Sequence, residues 1–183
     1  MNKVSGLGLF LLFSGACSPS APTVPTLSLG RNVVIEAEST RKSTVVGTHY
    51  WLVEKGDPTH LVAFPADNAV FNLKEGFAGS PSVTYRVMVE RPGTYYLWVR
   101  GKGESGGASV IPGFDGQPLS VNADFIGFFP GNFAWLGGLY NSGKRTVLQI
   151  DNAGEHDINF WMYEDGFRFD KFILTSDVNL IPE

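Results

Sequence analysis

From Arg31 onward the chain is dominated by short runs in which apolar and polar residues alternate. Val83, Tyr85, Val87 and Val89 take one parity, and Thr84, Arg86, Met88 and Glu90 take the other. That two-residue period predicts a strand with one face in the core, because successive side chains point to opposite faces. Pro92-Gly93 marks a turn, and Thr94 to Arg100 returns as a second strand of a hairpin. Asp115-Gly116 is a two-residue hairpin signal after Ser109–Phe114, and Asn141-Ser142-Gly143 separates Ala134–Leu139 from Arg145–Asp151. Residues 160–182 read as a strand, a tight Glu164-Asp165-Gly166 turn, a second strand ending near Thr175 and a polar exit. Beyond the first residues, no run has helical spacing. Eight to ten short strands with regular turns predict an all-β, antiparallel sandwich.

The first residues carry a different pattern. Lys3 precedes an apolar run from Val4 to Phe13, and Ser14-Gly15-Ala16 leads into Cys17, the sole cysteine. A run of about ten apolar residues is too short to span a bilayer and fits an export signal. The end of this segment resembles a bacterial lipobox, with Ser14 where a Leu is usual. A lone cysteine makes no internal disulfide, so lipidation at Cys17 is the expected chemistry. Release after ordinary signal cleavage is the alternative. Residues 18–30, with three prolines, read as an extended Ser/Pro/Thr-rich tether. The expected organisation is thus signal peptide 1–17, tether 18–30, β-sandwich 31–177 and a C-terminal tail 178–183. The location implied is the cell envelope, on the outer membrane or cell surface, or secretion without lipidation.

A net charge of −4 with no basic stripe argues against nucleic acid. Contact with a membrane is expected only through the lipid anchor. Fourteen Phe, six Tyr and four Trp are a high aromatic load for this size; in a β protein many are core, and a surplus can lie on a binding surface. Gly101-Lys102-Gly103-Glu104-Ser105-Gly106 has the letters of a dinucleotide-binding loop. Ala108 to Phe114 reads as a strand rather than the helix whose amides would face a pyrophosphate, so a plain loop is expected. His49, His60 and His156 lack paired spacing, which leaves a zinc site or a His-based triad to long-range convergence alone. No motif selects a pair of catalytic carboxylates.

Two acidic features need an account. Asp170 lies among Phe167, Phe169, Phe172, Ile173 and Leu174, where a carboxylate is costly unless paired, and a cation is one such partner. Alternation would put Glu36 and Glu38 on one side of their strand, with Ile35 and Ala37 on the other. Neighbouring carboxylates repel, and a hard cation would relieve them; a solvent-facing side of an edge strand is the alternative.

Several segments, taken in order, resemble the carbohydrate-binding modules of families 6 and 35. These are Val34-Ile35-Glu36-Ala37-Glu38, Gly93-Thr94-Tyr95-Tyr96-Leu97-Trp98-Val99-Arg100, Gly113-Phe114-Asp115-Gly116, Trp135, the Gly143 to Ile150 turn and strand, and Asp170-Lys171-Phe172-Ile173-Leu174-Thr175. The resemblance spans residues 31–177. It implies a galactose-binding-like jelly roll that binds polysaccharide or oligosaccharide and often accompanies a glycan-degrading enzyme. It also implies a structural calcium joining the first and last strands at Glu36, Glu38 and Asp170. The matching sugar-binding positions are Tyr50 or Trp51 and Trp135, with core packing the alternative for Trp135. Phe128, Phe129 and Phe133 would add an apolar rim, and Trp161 is expected in the core. Trp51, flanked by polar residues, is expected on the surface. Arg168 stands where many such modules place a sugar-binding Asn; its forked donors suit an acidic sugar or a sulfate, or it is an ion-pair residue of a lost cleft. The expected function is non-catalytic polysaccharide binding. The rivals are a structural or adhesive envelope lipoprotein that binds protein partners, and a small jelly-roll lyase or hydrolase.

Overall fold

The structure is a computed structural model that describes residues 23–71, 79–103, 109–120 and 124–183. The export segment, Cys17 and residues 104–108 of the glycine-bearing loop lie outside the described residues. Among those described there is no α-helix, and no helix long and apolar enough to cross a membrane.

Among the described residues, thirteen strands form two sheets. One sheet holds β1 (Thr26–Leu27), β6 (Ser82–Val89), β12 (Gly154–Met162), β8 (Val110–Phe114) and β9 (Gln117–Pro118) in that order, with β3 (Lys42–Ser43) also on β6. The other runs β10 (Ala134–Leu136), β7 (Gly93–Lys102), β13 (Arg168–Thr175), β5 (His60–Phe64), β4 (Tyr50–Glu54), with β11 (Val147–Ile150) on β7 and β2 (Asn32–Glu36) on β13. These pairings are antiparallel except that of β1 with β6. The all-β sandwich predicted from alternation is therefore present, with the β8–β9 hairpin at Asp115-Gly116. Both β6 and β7 are strands but lie in different sheets, so Pro92-Gly93 carries the chain from one layer to the other and the hairpin expected there is absent. Several of the additional strands are only two residues long.

The inward parities of the two sheets make the core. Val83, Tyr85, Val87 and Val89 meet Tyr95, Leu97 and Val99 from the facing sheet. An edge-to-face cluster of rings joins the layers, with Tyr85 centred 4.9 Å from Phe172 and Phe160 centred 4.8 Å from Phe169. The Tyr85 hydroxyl donates to the Ala37 carbonyl at 2.7 Å, so this buried polar tip is satisfied. Trp161 lies in a small second core with Ile111 and Phe125, as expected of it.

The tether boundary at residue 30 needs correcting. Thr26 and Leu27 pair with Met88 and Val89, and Leu27 is completely buried, so the folded unit begins inside residues 18–30. A Pro-rich stretch can still supply an edge strand, because one alternating apolar residue suffices to anchor it. Residues 178–183 fold back on the sandwich. The Arg145 guanidinium donates to the Leu180 carbonyl at 3.3 Å, and the Trp135 indole to the Glu183 carbonyl at 2.9 Å.

Candidate functional site

The acidic positions separate more than alternation predicts. Strand β2 ends at Glu36, and residues Ala37–Ser39 turn into one 3-10 turn, closed by the Ser39 hydroxyl donating to the Glu36 carbonyl at 2.6 Å. The two-residue period therefore fails between Glu36 and Glu38, although Ile35 and Ala37 do face the core. Glu36 is exposed and accepts from the Lys171 ammonium at 3.0 Å. Asp170 is wholly buried, at a bulge between Phe169 and Lys171 in the β13–β7 pairing, and the Arg100 guanidinium donates to its Oδ2. Its other oxygen, Oδ1, has no partner, and neither does the buried Oε2 of Glu38. Two orphaned carboxylate oxygens beside the first and last long strands of a sheet are what an oxygen-loving cation would satisfy. Among the described residues, Glu36, Glu38 and Asp170 are not a group whose donor atoms gather within 4.8 Å of one another, so the expected three-carboxylate cluster is not assembled. The case for an ion beside Glu38 and Asp170 rests on their orphaned oxygens, with Glu36 held by Lys171.

The aromatic positions do not converge. Tyr50 lies on β4 and Trp135 on β10, the opposite edges of the seven-stranded sheet. Four strand spacings separate them, about 19 Å. Trp51 is the clear correction: it is 6% exposed, packs edge-on against Phe167 and Phe169, and donates its indole N–H to the Pro81 carbonyl at 3.3 Å. The parity of β4 turns Trp51 inward and Tyr50 outward, where Tyr50 packs on Phe64. Trp135 sits half-buried opposite Arg100. Arg168 is opposite Lys102, and Phe133 lies under both Arg100 and Lys102, 5.2 and 4.9 Å from its ring centre. This outer sheet face is basic and ringed by aromatics.

A second aromatic group, at one end of the sandwich, was not legible in spacing. Tyr163 stacks on Phe125 at 4.6 Å, Phe125 stacks on Tyr140 at 5.2 Å, and Phe128 meets Tyr140 edge-on at 4.5 Å. Tyr140 is 52% exposed and Phe128 49% exposed. Phe129, expected in the same rim, is instead buried against Phe167. Asp124 fixes this corner: its carboxylate accepts the backbone N–H groups of Phe125, Asn141 and Ser142 at 3.0, 2.8 and 3.0 Å. Burial works to raise the Asp124 pKa, but those donors outweigh it and hold the carboxyl below its ordinary range. Gly127 lets the chain pass, since a Cβ there would lie 2.6 Å from that of Ser109.

The same end brings His49 to Asp67 and Asp165. His49 ends a tight turn in which its N–H and C=O pair with those of Val46, and Gly47 supplies the positive φ of 59°. Asp67 sits between Ala66 and Asn68, both left-handed at 66° and 68°. Asp165 is placed by its N–H donating to the Ala69 carbonyl at 3.1 Å and by Gly166 donating to Ala63 at 2.6 Å. The imidazole Nε2 lies 3.2 Å from Asp67 Oδ1 and 3.8 Å from Asp165 Oδ2, and the Asp67 N–H donates to that same Oδ2 at 2.6 Å. Burial raises the Asp165 pKa, and the Asp67 charge adds to this, whereas its bond to His49 lowers that of Asp67. Phe71 links the triad to the aromatic corner, touching His49 edge-on at 5.1 Å and packing on the Phe125 cluster.

No protein-family model matches the chain. The uncharacterized protein P23 of Formosa agariphila is 31% identical over 118 residues, a match covering 55% of this chain. The chain spans about a quarter, 26%, of the length of that relative. The CBM36-1 domain of a multidomain xylanase from the hindgut metagenome of Trinervitermes trinervoides superposes with a TM-score of 0.52 at 13% identity. That match covers 80% of this chain and 98% of that one. The Podospora anserina GH26-CBM35 β-(1,4)-mannanase gives 0.50 at 18% identity, over 82% of this chain and 29% of that one. The chain thus shares the β-sandwich fold of these structures, the fold that its motifs implied.

Proposed function

We propose that this chain is a non-catalytic module that binds polysaccharide at the loop end of the sandwich, with Tyr140 and Phe128 as the sugar-facing rings. The observation that carries this reading is the exposed, perpendicular pair of rings at 4.5 Å, braced from beneath by Phe125 and Tyr163. A pyranose presents an apolar C–H face to such rings, and rings already held in place lose little entropy on binding. Structures of the same fold occur in a xylanase and a mannanase, which supports a glycan ligand.

Calcium would be held by Glu38 and Asp170, satisfying their orphaned oxygens, and would tie the 3-10 turn to β13. Adding calcium chloride to the metal-free chain should then raise the melting temperature by several degrees in the wild type and not in Glu38→Gln. The proposal extends to an exported protein anchored through Cys17, for which incorporation of labelled fatty acid that disappears in Cys17→Ser is the check.

The decisive experiment is binding to a panel of soluble neutral and acidic polysaccharides by affinity electrophoresis. Tyr140→Ala should weaken binding roughly tenfold or more, the effect of removing one stacked ring, in a protein that circular dichroism shows to be folded. A wild-type protein that binds no glycan, or a Tyr140→Ala variant that binds normally, would refute it. The basic sheet face of Arg100, Lys102 and Arg168 favours a second reading, in which acidic glycans lie across the sheet. Loss of acidic-glycan binding in Lys102→Ala, with Tyr140→Ala unaffected, would select that face.

A further inference from the structure

We propose that His49, Asp67 and Asp165 form a site for a divalent transition-metal ion of the zinc class, separate from the calcium position at Glu38 and Asp170. Among the described residues this is the group of three potential ligands whose donor atoms all lie within 4.8 Å of one another. Zinc bonds to imidazole nitrogen and carboxylate oxygen at about 2.0–2.2 Å, which puts tetrahedral ligand atoms roughly 3.3–3.6 Å apart. The separations of 3.2 Å and 3.8 Å from His49 Nε2 bracket that edge, so shifts of a few tenths of an ångström would complete the geometry. An imidazole ligand points to a borderline ion rather than to calcium, which prefers six to eight oxygens.

A simple ion pair explains less. A protonated His49 would satisfy Asp67, but Asp165 has a side chain only 1% exposed, faces the imidazole, and leaves Oδ1 without a partner. A bound cation takes up that buried charge. Asp67 is 55% exposed, so a fourth position stays open to water on its side. The three ligands come from the turn before β4, the turn after β5 and the β12–β13 turn, so the ion would staple three loops into one rigid rim.

The test uses the full chain, stripped with chelator and titrated with zinc chloride by calorimetry, with calcium chloride as control. One zinc per chain is expected, with a melting temperature raised by several degrees. His49→Gln and Asp165→Asn should each weaken zinc binding by roughly a hundredfold, whereas Glu38→Gln leaves it unchanged. X-ray absorption should find a single imidazole in a nitrogen and oxygen shell at about 2.0–2.1 Å. Circular dichroism verifies that each variant is folded; should Asp165→Asn not fold, His49→Gln alone decides. Absence of zinc binding, or binding that survives His49→Gln, overturns the proposal. Neither result depends on glycan binding, so this site and the sugar-facing rings fail or stand separately.

Discussion

Trp51 and Tyr140 are both large rings, yet one is buried and the other exposed. Parity against the core separates them, and local polarity does not report it. Trp51 packs on Phe167 and Phe169 and its indole nitrogen is spoken for by Pro81. Replacing it by alanine should cost about 3–5 kcal/mol of stability, the usual loss for a buried large ring. Chemical unfolding measures this, and a loss under about 1 kcal/mol would contradict the buried placement, since surface substitutions usually stay within about ±0.5 kcal/mol. Tyr140 follows a short strand and precedes the Asn141-Ser142-Gly143 turn, a signal that was plain in the sequence. Its placement was not, because Asp124 and Phe125, which brace this corner, are distant from it along the chain and reach it only through the fold.

At the scale of elements, the alternation rule was most informative where a strand is long and regular, and β6 was read from it closely. It failed where a strand breaks its own phase. Phe169 and Phe172 are three apart and both reach the core, which an unbroken strand forbids; the bulge at Asp170 supplies the extra residue that restores the phase. The sequence marked Asp170 as a charge that needs a partner, and the structure identifies Arg100 as one. Arg100→Met should therefore destabilise the protein by about 3–5 kcal/mol at neutral pH, because it strands a buried carboxylate rather than merely deleting a pair. Adding Asp170→Asn to that variant should recover part of the loss. Recovery by calcium alone, absent when Glu38→Gln is added, would show that the orphaned oxygens and the guanidinium share one electrostatic task. A single variant as stable as the wild type would mean that Asp170 does not carry its charge in the fold.

For the whole molecule, local signals marked turns but not which strands pair: Asp115-Gly116 closes a hairpin, whereas Pro92-Gly93 carries the chain between sheets, and strand order decides which residues meet. Tyr50 and Trp135 lie at opposite edges of one sheet for that reason, whereas His49 and Asp165, far apart along the chain, come together. A second long-range tie lies where the β8–β9 hairpin meets β12. His156 Nδ1 lies 2.7 Å from Asp115 Oδ2, its Nε2 lies 2.9 Å from the Asn152 carbonyl, and the ring stacks on Phe114. Burial works to lower the His156 pKa, but Asp115 and the Asn152 carbonyl outweigh it and raise it above the ordinary value near 6.5. A folded-state pKa above the unfolded one means that the cation stabilises the fold fully below about pH 6.5. That contribution fades as pH rises through the folded value. Asp124 has the opposite sense: its lowered pKa contributes stability above the unfolded carboxylate value, lost as pH falls through the folded one. Stability should thus be greatest in the mildly acidic range between these two titrations. Melting temperatures followed from about pH 5 to 9 should fall on the alkaline side in the wild type and flatten in His156→Gln. Parallel profiles for the two proteins would show that the Asp115–His156 tie holds no charge in the fold, and that another group sets the alkaline limit.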